Sequence, residues 1–237
     1  MTLTNKQIRG LKILAWLLCL LPLLNVLWKV VHILPWTSDI PFIAAGADRW
    51  NLGANPINVI ERAMGKATLI MILVTLAVTP ARKLLRQPWL IRFRRLFGLF
   101  AFFYASLHLL SYVVLDEFFD VHAMIADIAK RKYITVGFAA FVLMIPLAVT
   151  STSGWIRHLG GKRWARLHQL IYATAVLAIF HFLWLVKFDI RRPVKYGGVL
   201  AVLLLYRLAV WMVERAKARE ARSREAIANS RTAVPQG

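Results

Sequence analysis

Apolar residues in this chain come in long runs separated by short polar segments, and the runs have the length of membrane-crossing helices. A helix needs about 20 apolar residues to cross a bilayer. Six runs qualify or nearly so: Leu11–Leu34, Ala67–Thr79, Leu96–Leu115, Tyr133–Thr150, Leu167–Val186 and Val194–Val213. The second is the weakest, because its clean apolar core falls well short of a full span; Lys66 snorkelling and Leu84 with Leu85 extend it. No small-residue cleavage site follows the first run, which therefore reads as a retained helix rather than a signal peptide. The expected fold is an all-α membrane protein, a six-helix transmembrane bundle with both termini cytoplasmic.

Charge gives the helices a direction. The chain has 237 residues, 59% of them hydrophobic, a mean hydropathy of +0.58 and a formal net charge of +20. In a soluble protein that charge would point to nucleic acid. Here the basic residues lie between apolar runs and no basic domain stands apart, so the expected partner is lipid headgroups and no nucleic acid is expected. With the N-terminus inside, segments 1–12, 80–95, 151–166 and 214–237 carry 19 of the 31 Lys and Arg and three acids. Segments 35–66, 116–132 and 187–195 carry 10, with eight acids that all read as loop residues. The basic excess is on the inside, as membrane insertion requires. Trp28, Trp36, Trp155, Trp164, Trp184 and Trp211 fall near span ends, where interfacial aromatics belong. The expected organisation is a cytoplasmic segment 1–10, a membrane domain 11–213 and a charged cytoplasmic tail 214–237. That tail is expected to begin helical and to fray toward Pro235. The outer segment 35–66 contains the turn signal Gly53-Ala54-Asn55-Pro56; it reads as a surface-lying stretch or a docking site for a partner.

The candidate chemistry is histidine. Cys19 is the only cysteine, which excludes an intramolecular disulfide, covalent c-type haem and thiolate-ligated clusters. His108 lies within the third span; His168 opens the fifth and His181 lies deeper in it. An imidazole in hydrocarbon is costly without a partner, so each is a candidate metal ligand, the alternative being a helix–helix hydrogen bond. His168 and His181 are thirteen residues apart, about 19 Å of rise and roughly 140° of rotation, so they cannot clamp one metal. His108 and His181 fall at similar depth in the outer half, on two helices running the same way, and can share one. His168 lies near the inner surface, where the equivalent position on the third helix is near Arg94 or Arg95, neither a strong iron ligand. Arg94, Arg95, Arg163 and Arg166 are candidate contacts for propionate or phosphate groups, against their plainer role as positive-inside charge. His32, His122 and His158 read as interfacial.

Several stretches resemble the MsrQ family, formerly YedZ. They are Arg95-Leu96-Phe97-Gly98-Leu99-Phe100-Ala101-Phe102-Phe103-Tyr104 leading to His108, Tyr133-Ile134-Thr135-Val136-Gly137-Phe138, Leu147-Ala148-Val149-Thr150-Ser151-Thr152-Ser153, and Leu159-Gly160-Gly161-Lys162-Arg163-Trp164 continuing through His168 to His181. The resemblance covers roughly residues 10–212 and extends to the ferric-reductase-like transmembrane group. It implies b-type haem, one or two, with His108, His168 and His181 at the ligand positions. It also implies FMN, for which the Gly160-Gly161 loop is a weak candidate. The implied donor is the quinone pool or a cytoplasmic flavin reductase. The implied acceptor is a periplasmic MsrP-type molybdopterin reductase that repairs methionine sulfoxide, across a bacterial inner membrane. The larger ferric reductases carry two histidines on the third helix, where this chain has only His108.

The chain contains no GxGxxG, and no inner segment reaches the ~100 residues of a nucleotide-binding domain. An external electron donor is therefore expected, with the terminal chemistry done by another polypeptide. The contrasting reading is a non-redox scaffold or a proton or solute transporter with structural histidines; the absence of paired acids in the spans speaks against it.

Overall fold

The computed structural model describes residues 4–31, 55–186 and 189–232, with side chains to residue 225. The described residues form helices and no strand. They are α1 (Asn5–Val31), α2 (Pro56–Leu84), α3 (Arg94–Ser111), α4 (Val121–Lys130), α5 (Lys132–Val149), α6 (Ser153–Leu159), α7 (Gly161–Leu167), α8 (Leu170–Leu185) and α9 (Arg191–Thr232). Six stretches are long and apolar enough to cross a membrane: α1, α2, Pro88–Asp116 around α3, α5, Gly161–Leu185 through α7 and α8, and the first part of α9. Among the described residues that is an even number of crossings, which puts α1's start and α9's end on one side.

Local chemistry explains where the helices start. Thr4 and Gln7 form a reciprocal capping box at α1, with Gln7 N–H donating to Thr4 Oγ1 and Thr4 N–H to Gln7 Oε1. Asn55 caps α2 by accepting from Asn58 N–H, and Pro56 sits at the first helical position, where its missing N–H costs nothing. The Asn55-Pro56 half of the expected turn thus starts a helix, while Gly53, Ala54, His32 and Trp36 lie outside the described residues, as does Pro235.

The second span differs most from its expectation. It is not short: α2 has 29 residues, and half of its most apolar stretch is buried inside the protein, more than in any other span. Its polar positions depress the apolar signal because a central helix packs against protein rather than lipid. Thr75 is buried with its hydroxyl bonded to the Met71 carbonyl. Glu61 likewise lies inside this helix and not in a loop, as the charge pattern had suggested. Two further features concern the connecting and tail segments. The outer segment 116–132 contains the amphipathic helix α4, capped by Asp120 on Ala123 N–H. The charged tail continues α9 without a break to Thr232.

Helices pair as α2 with α3 and α5 with α8, and the pairs meet in one apolar cluster. Lipid tails are as apolar as leucine, so association inside a membrane relies on close packing of small residues. Ala101 and Ala175 are completely buried at this junction. A second cluster joins α1 to α2 and α3. The outward leucines of α1, such as Leu17 and Leu21, stay more than half exposed, which is the surface lipid covers.

Prolines inside the helices free carbonyls, and at Pro80 a side chain from a neighbouring helix occupies the gap. Pro80 has no N–H for the carbonyl of Leu76, four residues earlier. Arg207 of α9 fills that vacancy, with Nη2 donating at 2.9 Å and Nη1 donating to the Tyr172 hydroxyl at 2.6 Å. Beside Pro22 in α1 the Tyr104 hydroxyl enters the helix ladder. It donates to the Cys19 carbonyl and accepts from Leu23 N–H, a pair that would otherwise bond to each other.

Candidate metal centre between α3 and α8

His108 stands one turn before the end of α3, and His181 stands in the outer part of α8. Their ring centroids are 6.0 Å apart with the planes at 71°. The tautomer of His181 follows from its partner. Nδ1 lies 2.7 Å from the Tyr133 carbonyl, which can only accept, so Nδ1 carries the proton and Nε2 keeps its lone pair. His108 Nδ1 is buried and has no hydrogen-bond partner. Both rings lie against glycines of the neighbouring helices, Gly65 of α2 for His108 and Gly137 of α5 for His181.

This arrangement fits a metal held between two imidazoles. An imidazole nitrogen binds a transition metal at about 2 Å, and each ring nitrogen lies about 1 Å from its centroid, which gives roughly 6 Å between centroids for a ligand pair in line. A carbonyl on Nδ1 is the usual orienting partner of a ligating histidine. Among the described residues no group of three or more His, Cys, Asp or Glu could hold a bare ion. A metal here would take its remaining ligands from a macrocycle.

His168 is kept apart from this pair. It forms the break between α7 and α8, with Gln169, so the fifth span starts at Gly161 and is interrupted where a continuous helix was expected. The Thr150 hydroxyl donates to the Pro146 carbonyl at 2.6 Å; having spent its proton, it accepts from His168 Nε2 at 3.1 Å. Trp164 stacks on the ring at 4.0 Å and donates its indole N–H to the Thr150 carbonyl. His168 thus offers Nδ1 in this arrangement, and its Nε2 is committed to Thr150. Arg94 is half-buried and close enough to His168 for their charges to interact. Arg95, Arg163 and Arg166 are exposed, the position of plain interfacial charge. His122 and His158 are exposed as well. Gly160, with φ of +73°, turns the chain between α6 and α7, a conformation that asks for glycine.

A family model described as "Ferric reductase like transmembrane component" matches residues 63–179. A protein of Ralstonia nicotianae named "Protein-methionine-sulfoxide reductase heme-binding subunit MsrQ" is 45% identical over 215 residues, 90% of this chain and 90% of that one. The chain belongs to the MsrQ family. MsrQ relatives of the same printed name from Caulobacter vibrioides and Herminiimonas arsenicoxydans are 46% and 54% identical, over 84% and 66% of this chain and 85% and 73% of their own lengths. The ferric-reductase-like match takes in Gly65, His108, Gly137 and His168 and stops two residues before His181. With six apolar helices, this MsrQ family member is a multi-pass membrane protein.

Sequence reasoning missed Gly65, Gly137, Thr150, Tyr133 and Arg207. A glycine inside an apolar helix has no propensity reason to be there, but residue type does not separate Gly65 and Gly137 from Gly98 or Gly198. Arg207 was visible as a lone charge in the sixth run, but its partners come from α2 and α8, distant in sequence.

Proposed function

We propose that this chain is the haem-carrying membrane subunit of a protein-methionine-sulfoxide reductase system in a bacterial inner membrane. The observation that carries the reading is the facing pair His108 and His181, set for one metal, with His181 oriented by the Tyr133 carbonyl. The relatives' printed names, which call them heme-binding subunits, support the choice of ligand. A b-type haem held there supplies a one-electron Fe(III)/Fe(II) couple. The chain's own contribution is to hold the half-buried pair between its helices, to keep the proton on His181 Nδ1, and to present a lone pair at its Nε2.

The finer points of the proposal rest on the family resemblance. Electrons arrive from the quinone pool or a cytoplasmic flavin reductase and leave to a periplasmic MsrP-type molybdopterin reductase. FMN, and His168 as the ligand of a second haem, belong to the proposal in the same way. Arg94 is the inner-side arginine best placed to meet an anionic group beside His168; Arg95, Arg163 and Arg166 are open to anionic groups at the surface. The test is the optical spectrum of the purified full-length protein, expressed with adequate haem supply. A Soret band with split α and β bands on reduction is expected. A colourless, folded protein would sink the proposal and favour the scaffold or transporter reading.

A further inference from the structure

Each of the two histidine rings lies on a helical glycine. In α5 the carbonyl that His181 uses, that of Tyr133, lies one helical turn before Gly137. In α2 the carbonyl at the corresponding position, that of Glu61, lies one turn before Gly65 but makes no hydrogen bond to His108 Nδ1. Gly65 precedes His108 by 43 residues and Gly137 precedes His181 by 44. In both units the glycine helix runs inward and the histidine helix runs outward, so the bundle repeats one two-helix device.

The fit is close enough to require glycine. A Cβ at Gly137 would stand 2.6 Å from His181 Nδ1 and 2.8 Å from Cε1, an overlap that the imidazole can relieve only by leaving its place. A Cβ at Gly65 would stand 3.2 Å from His108 Cε1 and 3.4 Å from Nε2, a contact that forces the ring to shift. Other helical glycines have no such neighbour. A Cβ at Gly98 would meet only Thr75 Cγ2 at 3.7 Å, and one at Gly198 would meet nothing within 4 Å.

We propose that Gly65 and Gly137 are positioning residues of a repeated histidine seat. Each bares a helix so that an imidazole can lie on it; at Gly137 this brings His181 Nδ1 to the carbonyl four residues earlier and leaves Nε2 to the metal. This rests on the reading of His108 and His181 as haem ligands. The two seats are not equivalent. The His181 hydrogen bond is closed at 2.7 Å, while His108 Nδ1 has no partner. Gly137 therefore controls the more basic ligand, since a carbonyl on Nδ1–H strengthens donation from Nε2.

The test compares wild type with Gly137→Ala, Gly65→Ala and, as a packing control, Gly98→Ala. The readouts are haem per protein, the low-spin electron paramagnetic resonance signal and the midpoint potential. Gly98→Ala should match wild type. Gly137→Ala should weaken haem retention about tenfold or more, the range for loss of an orienting partner. Its remaining haem should titrate at a higher potential, because a weaker donor stabilises the ferric state less. Gly65→Ala should keep its haem with a shifted low-spin signal. If Gly137→Ala does not accumulate, Gly65→Ala decides. Wild-type signal and potential in every glycine variant that folds would overturn the seat while leaving the haem reading intact. A wild-type protein without haem would instead overturn the reading beneath it.

Discussion

Arg207 offers a quantitative test of how this bundle satisfies its own backbone. The guanidinium makes two hydrogen bonds, to the Tyr172 hydroxyl at 2.6 Å and to the Leu76 carbonyl at 2.9 Å. Bonds of this charge-assisted kind contribute about 1.5–3 kcal/mol each. Against that, holding an arginine in the apolar layer costs about 2.5–3.5 kcal/mol. The ranges of the two terms overlap, so Arg207→Leu alone is not diagnostic. The informative quantity is its coupling to Pro80. In Pro80→Ala the new N–H can bond the Leu76 carbonyl, so removing Arg207 no longer orphans that group. An unsatisfied buried carbonyl costs about 1–3 kcal/mol. Arg207→Leu should therefore be more destabilising by about that amount with Pro80 present than in the Pro80→Ala background. Reversible unfolding of the four variants in mixed micelles, followed by tryptophan fluorescence, measures the cycle. Equal costs in both backgrounds, within the ~0.3–0.5 kcal/mol of ordinary additivity, would refute the assignment of Arg207 to the carbonyl freed by Pro80.

Two further outcomes follow from single hydroxyls. Tyr104 is completely buried and its hydroxyl bridges Cys19 and Leu23 of α1, so Tyr104→Phe should cost about 1–3 kcal/mol in the same unfolding assay. An unchanged stability would show that α1 closes its own ladder beside Pro22. Thr150→Val removes the group that accepts from His168 Nε2 and should cost about 1–2 kcal/mol. It should leave the spectrum of a haem held by His108 and His181 unaltered; a changed spectrum would mean that the inner histidine and the outer pair are coupled.

Much of the fold was legible because membrane insertion writes itself into composition. Apolar length and the asymmetry of Lys and Arg are sufficient to specify spans and direction, and direction places His108 and His181 at one depth. The structure puts those two rings 6.0 Å apart. What the sequence concealed is physical. A helix surrounded by protein need not be uniformly apolar, so α2, the central element, looked weakest. Glycine has no side chain to announce a contact, so Gly65 and Gly137 were indistinguishable by residue type from Gly98 or Gly198. The hydrogen bond from His168 to Thr150 joins two span ends across the α6–α7 connection, which neither depth nor periodicity encodes.

The central claim is that His108 and His181 hold one haem together and His168 does not share it. Haem-to-protein stoichiometry, with the reduced optical spectrum, on wild type and on His108→Ala, His181→Ala and His168→Ala tests it most directly. The first two variants should each lose the same spectral component, and His168→Ala should retain it. Equal and complete loss of haem in all three, or loss of different components in His108→Ala and His181→Ala, would contradict the pairing.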